Sequence, residues 1–169
     1  MMRRKNIILV LLLLPLLVNS CKVKYSFSGA STGSLSTVSV DYFQSRAALA
    51  PPTLSQIFTE EYRDLCERQT NMSLITGPGD AHFEGEIIAY TTRVMAVSGK
   101  DKAALTRFTI GIRVRYTNAL DPDLSFEETF SRYRDFEAVL SFESVKGPLT
   151  EEIIEEITED IFNQAFVNW

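Results

Sequence analysis

The residues best suited to ligand chemistry in this sequence are arginines on two neighbouring predicted strands. Five of them form the candidate site: Arg107, Arg113, Arg115, Arg132 and Arg134. Arginine suits phosphate because its planar guanidinium donates two parallel hydrogen bonds. Side chains alternate across a strand, so the first three share the face opposite the apolar residues between them. The last two could join them from the next strand, and together the five would form an anion-binding face.

A structural interpretation of the same arginines remains open. Glu127, Glu128 and Asp135 lie on the adjacent predicted strand and could pair with them. Exposed ion pairs of this kind contribute less than about 1 kcal/mol each. The pattern therefore fits either a phosphate-binding surface or a solvated face of paired charges.

Catalysis has weaker support in the sequence. Glu84 and Glu86 share one strand face about 7 Å apart, a separation that glycosidases use, but adjacent strand carboxylates are usually a solvated face. His82 is the single histidine, so neither a histidine-rich metal site nor a Ser-His-Asp triad with a spare partner is available. A G-x-S-x-G motif and a phosphate-cradling loop are also missing. We expect no catalytic residue, metal site or cofactor, and a carboxylate-based envelope hydrolase is the least favoured function.

The first twenty residues have the three regions of a secretory signal. Arg3, Arg4 and Lys5 precede an apolar run over residues 7–18, which is shorter than the roughly 20 residues that a spanning helix needs. The sequence Val-Asn-Ser before Cys21 resembles the lipobox of bacterial lipoproteins. That resemblance implies cleavage before Cys21 and acylation of its thiol and amino end. An ordinary secreted protein with an incidental cysteine would also fit.

Acylation would make residues 21–36, which are rich in Ser, Gly and Thr, a membrane tether. Each buried lipid methylene contributes about 0.8 kcal/mol, and two or more chains hold a protein stably. In lipoproteins an Asp after the cysteine favours the inner membrane. Here Lys22 follows it, so the resemblance implies an outer-membrane anchor with the domain facing the periplasm.

Charge and cysteine content limit the possible partners. The mature charge is about −8, since the signal removes three of the 17 basic residues and none of the 22 acids. A protein with this charge is a poor general binder of nucleic acid. With Cys21 acylated, Cys66 has no intramolecular partner, and its position on a predicted apolar helix stripe indicates a buried, inert thiol.

The elements that carry these residues follow from periodicity. The predicted order is strand, helix, strand, strand, strand, helix. The strands span 37–43, 81–97, 105–117 and 124–137, with a bulge near Ser131 to correct an irregular alternation. A capping box formed by Thr53 and Gln56 begins the first helix, which ends near Gln69, and Pro148 begins the last. We predict a single α+β domain over residues 37–169, with a four-stranded, mostly antiparallel sheet and both helices on one face.

Three segments and their order resemble the LptE family of lipopolysaccharide-assembly lipoproteins. They are residues 25–29 (YSFSG), 80–87 (DAHFEGEI) and 159–169 (EDIFNQAFVNW). The resemblance implies a non-enzymatic plug subunit inside the LptD β-barrel of the outer membrane. Such a subunit helps the barrel fold and helps deliver lipopolysaccharide (LPS) to the outer leaflet. Apart from Cys21, no family site residue can be transferred by motif.

A different role for the same architecture also fits. A lipoprotein adapter could bind another envelope assembly through the sheet face that the helices leave open. Both interpretations predict the same anchor and fold, and they differ only in the partner.

Overall fold

The structure, a computed structural model, describes residues 32–95 and 104–167. The signal segment, Cys21 and Trp169 lie outside the described residues. Within these two ranges, six strands and two helices follow one another, with a short 3₁₀ turn at Pro122–Leu124. Their bounds are β1 Thr37–Val40, β2 Gln44–Ser45, α1 Thr53–Gln69, β3 Ser73–Leu74, β4 Ala81–Met95, β5 Leu105–Asn118, β6 Phe126–Glu137 and α2 Phe142–Phe166.

In the described part of the chain the sheet is mixed and has six strands, so the prediction of a four-stranded, mostly antiparallel sheet is wrong in its details. The strand order is β3-β1-β4-β5-β6, and β2 pairs with β4. β1 runs parallel to β4 because α1 lies in the crossover between them, whereas β4, β5 and β6 are antiparallel. The two additional strands contain two residues each, too few to show an alternating pattern. The α+β class is confirmed.

Both helices pack on one face of this sheet, as the sequence predicts. Tyr62 of α1 and Phe166 of α2 both contact Phe83 of β4, with ring centroids 5.0 and 5.8 Å apart. The apolar side of β5 is fully buried beneath them, from Phe108 to Tyr116. We call the opposite, uncovered side of the sheet the open face. Neither helix in the described ranges has the length and apolar character needed to cross a bilayer.

The β-bulge lies in β4 and not near Ser131 in β6. The pairing of β5 with β6 is continuous, whereas the β4–β5 register shifts between Ile87 and Ala89. Ile87 therefore points towards the helices and Ala89 towards the open face, although the alternation of the sequence predicts them on one side. Every β4 side chain after the bulge is displaced to the face opposite its predicted one.

The helix ends also depart from the sequence signals. α1 begins at Thr53 as predicted, but its N-cap is Pro52 and no side chain caps it, so the capping box is absent. α2 begins at Phe142, and Pro148 lies inside it. Phe142 packs against Phe108 and Phe136, with ring centroids 4.8 and 6.0 Å apart. This packing extends the helix by six residues before the proline that the sequence predicts at its start.

Candidate functional site

Arg107 lies on the open face of β5 and is held in place by β6. Its guanidinium donates two hydrogen bonds to Asp135, at 2.8 and 2.9 Å, and lies 3.6 Å from the centroid of the Tyr133 ring. The bond from Arg107 lowers the pKa of Asp135 below its usual value. Arg107 is therefore fixed by both a bidentate ion pair and a cation–π contact.

Arg113 and Arg115 lie on the same face and also pair with carboxylates. Arg115 donates to Glu127 at 2.9 Å and to Glu84 at 3.1 Å, and the pKa of its guanidinium is raised mainly by the bond to Glu127. Arg113 donates to Glu86 at 3.0 Å. The structural interpretation of these arginines is confirmed to this extent, because their positive charges are already balanced in the described chain.

These pairs surround a shallow depression of about 260 Å³ that opens to solvent. It is lined by Glu84, Gly85, Glu86, Arg113, Arg115 and Glu127. An anion that enters this depression meets two guanidinium groups and three carboxylates. An anion that takes over the hydrogen bonds of these pairs replaces a carboxylate as the partner of the arginine.

Arg132 and Arg134 do not join the open face, which corrects the geometry expected for them. Arg132 lies opposite Ile110, and Arg134 lies opposite Phe108, so both project to the helix-covered side. From β6, an edge strand of the sheet, their side chains extend to the acidic side of α2. Arg134 bonds Glu152 at 2.7 Å and Glu156 at 2.6 Å, whereas Arg132 lies 2.6 Å from Asp160.

Sequence reasoning did not place Arg93 on the open face. Arg93 of β4 lies directly opposite Arg107 in the register and is exposed. Within the described residues its side chain makes no ion pair or hydrogen bond. Uninterrupted alternation from Phe83 predicts Arg93 on the helix side, and the bulge after Ile87 reverses this. The signal that could have found it is the charge itself, since an arginine is rarely buried without a partner.

The carboxylates and the thiol that could have served catalysis are bonded or buried. Glu84 and Glu86, the pair expected for a hydrolase, each accept hydrogen bonds from arginines. Cys66 is buried, as predicted, and burial raises the pKa of its thiol to about 12, so the thiol stays protonated at neutral pH.

Comparison with known proteins identifies the family. Residues 35–165 match the LptE family, described as lipopolysaccharide-assembly. The match spans both helices and all six strands, apart from the last residue of α2. The chain belongs to the LptE family. It is therefore a member of a family of non-enzymatic lipoproteins that act in lipopolysaccharide assembly. No curated protein matches the chain.

Solved structures show that the fold recurs at low sequence identity. A minor lipoprotein from Acinetobacter baumannii superposes with a TM-score of 0.51 at 12% identity, covering 77% of this chain and 91% of that one. Hypothetical protein CT253 from Chlamydia trachomatis gives 0.55 at 13%, covering 79% and 99%. An uncharacterized lipoprotein B from Nitrosomonas europaea gives 0.51 at 12%, covering 86% of both chains. At these identities the likeness concerns the fold alone.

The LptE-like segment 80–87 has a structural role here. The Asp80 carboxylate accepts hydrogen bonds from the backbone N–H groups of Ser36 and Thr37, at 2.9 and 3.0 Å, and thereby fixes the start of β1. These bonds lower the pKa of Asp80. Gly85, in the same segment, leaves room for the ring of Phe43 against the sheet. Residues 80–87 therefore link the start of β1 to the centre of the core.

Proposed function

We propose that this LptE-family chain is a lipid-anchored plug subunit of the lipopolysaccharide translocon in the bacterial outer membrane. Cys21 carries the acyl anchor after cleavage of the signal, and the domain enters the lumen of an LptD-type β-barrel from the periplasm. There it assists barrel folding and delivery of LPS to the outer leaflet. The observation that carries this proposal is the match of residues 35–165 to the family.

The open face is the surface that we assign to LPS. Arg107, Arg113 and Arg115 lie there beside Arg93, which has no partner among the described residues, and a phosphate-bearing headgroup could reach all four. Lipid A carries phosphates, which arginine binds well. By contrast, Arg132 and Arg134 are engaged with α2, so we assign them a structural role in place of the ligand contact expected of them.

Binding at Arg115 involves an exchange of partners. A phosphate that takes both hydrogen bonds of the Nε–Nη2 edge of Arg115 must displace Glu127, which accepts from both nitrogens. Each exposed ion pair contributes less than about 1 kcal/mol, so a doubly charged group can offset the loss. The carboxylates then act as competitors that keep the face from binding weaker anions.

This exchange predicts that two substitutions have opposite effects on the affinity for LPS. Arg115→Gln removes a donor and should weaken LPS binding, whereas Glu127→Gln removes a competitor and should strengthen it by up to about fivefold. Both effects should be larger at low ionic strength, where exposed charges are less screened. Affinity is measured with purified LPS and the full chain in detergent.

The matched control is Arg132→Gln, which removes the same charge from the helix-covered side. We expect it to leave LPS affinity unchanged. If Arg132→Gln weakens binding as much as Arg115→Gln does, or if Glu127→Gln has no effect at low salt, the open face is not the LPS surface.

A further inference from the structure

Three metal-ligating side chains converge beside the arginines of the open face. Asp41 follows β1, while His82 and Glu84 lie two residues apart on β4, and one ligand atom of each lies within 4.8 Å of the others. His82 Nε2 is 3.7 Å from an Asp41 carboxylate oxygen. This is close to the separation of about 3.4 Å between two ligands bonded at about 2.1 Å in a tetrahedral zinc site.

The imidazole of His82 is held in the orientation that such a site needs. Its Nδ1 lies 2.7 Å from the hydroxyl of Ser39, which is buried and also accepts the backbone N–H of Gly79 at 2.9 Å. When Nδ1 carries the proton and donates a hydrogen bond to Ser39, the lone pair of Nε2 is free, and Nε2 lies 3.7 Å from the Asp41 carboxylate. Histidine ligands commonly donate their second N–H in this way, which fixes the tautomer and ring orientation.

Among the described residues, each of the two carboxylates keeps an oxygen that accepts no hydrogen bond. Within the described residues, Asp41 accepts no hydrogen bond through its side chain, and its one ionic neighbour is His82. Glu84 accepts a hydrogen bond from Arg115 through Oε1, at 3.1 Å, which leaves its other oxygen for a metal ion. Two carboxylates this close repel each other, and a divalent cation between them would remove that repulsion.

We propose that Asp41, His82 and Glu84 form a binding site for Zn²⁺, with solvent in the fourth position. One imidazole nitrogen and two carboxylate oxygens suit zinc, whereas Mg²⁺ and Ca²⁺ prefer sites made only of oxygen. Sequence spacing does not indicate this site, because a single histidine excludes only histidine-rich sites. Asp41 and the other two ligands are 41 or more residues apart, and the parallel pairing of β1 with β4 unites them.

The single histidine of the chain makes the test direct. The full chain, labelled with ¹⁵N and purified in detergent without a polyhistidine tag, is titrated with Zn²⁺ alone. We expect the imidazole nitrogen resonances, which can come only from His82, to shift and to saturate at one ion per chain. Calorimetry under the same conditions gives the affinity, and Mg²⁺ should bind at least about tenfold more weakly than Zn²⁺.

Substitutions then assign the ligands. His82→Ala, Asp41→Asn and Glu84→Gln should each weaken Zn²⁺ binding at least about tenfold. Asp41→Asn is isosteric at an exposed position, so it tests the site even if His82→Ala disturbs folding. Glu86→Gln is the matched control, on the same strand face but outside the cluster, and should change affinity less than about twofold, as expected for a residue outside the coordination shell.

Three results would overturn the site. They are imidazole resonances that do not move with Zn²⁺, binding that survives both His82→Ala and Asp41→Asn, and equal affinity for Mg²⁺ and Zn²⁺. The first would leave His82 and Asp41 as neighbouring side chains, 3.7 Å apart, that bind no ion.

Discussion

Gly85 and Asp80 show how single residues fix the centre of this fold. A Cβ at position 85 would overlap the carbonyl oxygen of Arg113 and come within 2.6 Å of the Phe43 ring. Phe43 is fully buried and packs edge-on against Phe58 of α1, with centroids 4.9 Å apart. Because Gly85 has no side chain, the ring of Phe43 can lie between the sheet and α1.

Gly85→Ala should lower the free energy of unfolding by about 1–3 kcal/mol, because the added methyl group overpacks a filled core. Gly147→Ala is the matched control. No atom lies within 4 Å of a Cβ there, and the residue is helical, so alanine should be neutral or stabilising by up to about 1 kcal/mol. Denaturant unfolding measures both. Equal destabilisation by the two substitutions would contradict the packing argument.

The lowered pKa of Asp80 predicts how the stability of the folded chain depends on pH. Hydrogen bonds from Ser36 and Thr37 hold its folded-state pKa below the ordinary value of 3.8, so the ionised form stabilises the folded chain. This stability is fully present above the ordinary pKa and is lost as the pH falls through the lowered one. Asp80→Asn should therefore be less stable than the unsubstituted chain at neutral pH, with the difference shrinking in acid. A difference in the free energy of unfolding that does not change with pH would show that the carboxylate charge is irrelevant.

At the scale of the elements, alternation in β5 could be predicted from sequence, whereas the strands beside it could not. β5 is central and covered by helices on one side, so its apolar residues recur at every second position without interruption. β6 is an edge strand, where long arginine stems cover apolar surface and carry their charge past the edge to α2. The mixture of Phe130 and Arg132 on one side therefore needs no bulge in β6.

The bulge in β4 escaped prediction for a related reason. Ile87, Ile88 and Ala89 are all apolar, so the run gives no sign of which residue is the extra one. The bulge places Arg93 on the open face, opposite Arg107. The start of α2 at Phe142 could not be predicted, because the tertiary packing of Phe142 prevailed over the local signal of Pro148.

Arg134 links two elements, and its removal should loosen α2 from the sheet. It bonds Glu152 and Glu156, and these bonds raise the pKa of its guanidinium. We expect Arg134→Gln to lower the free energy of unfolding by about 1 kcal/mol, at the upper end for partly exposed ion pairs.

Arg68→Gln is the control for this change. Arg68 pairs with Glu61 within α1 alone, 3.0 Å away, so the same charge is removed without separating two elements. It should stay within about 0.5 kcal/mol of the unsubstituted chain. If both substitutions have the same effect in denaturant unfolding, Arg134 does not fasten the helix to the sheet.

At the scale of the whole molecule, charge is divided between two surfaces. The outer side of α2 exposes Glu151, Glu155 and Glu159 without basic partners in the described chain, whereas the open face balances arginines with carboxylates. A balanced face can approach an anionic lipid that the acidic helix side would repel. The α+β class and the shared strand face of Arg107, Arg113 and Arg115 could be predicted from sequence. The ion pairs of these arginines, and the proximity of Asp41 to His82, depend on the strand register, which the sequence does not show.

We propose that this LptE-family chain works as the plug of an outer-membrane barrel. The most direct test of this role is quantitative mass spectrometry of what co-purifies with the full chain from native membranes in mild detergent. We predict an LptD-type β-barrel at one copy per chain. A different envelope assembly in stoichiometric amount, or the chain recovered alone, would contradict the account.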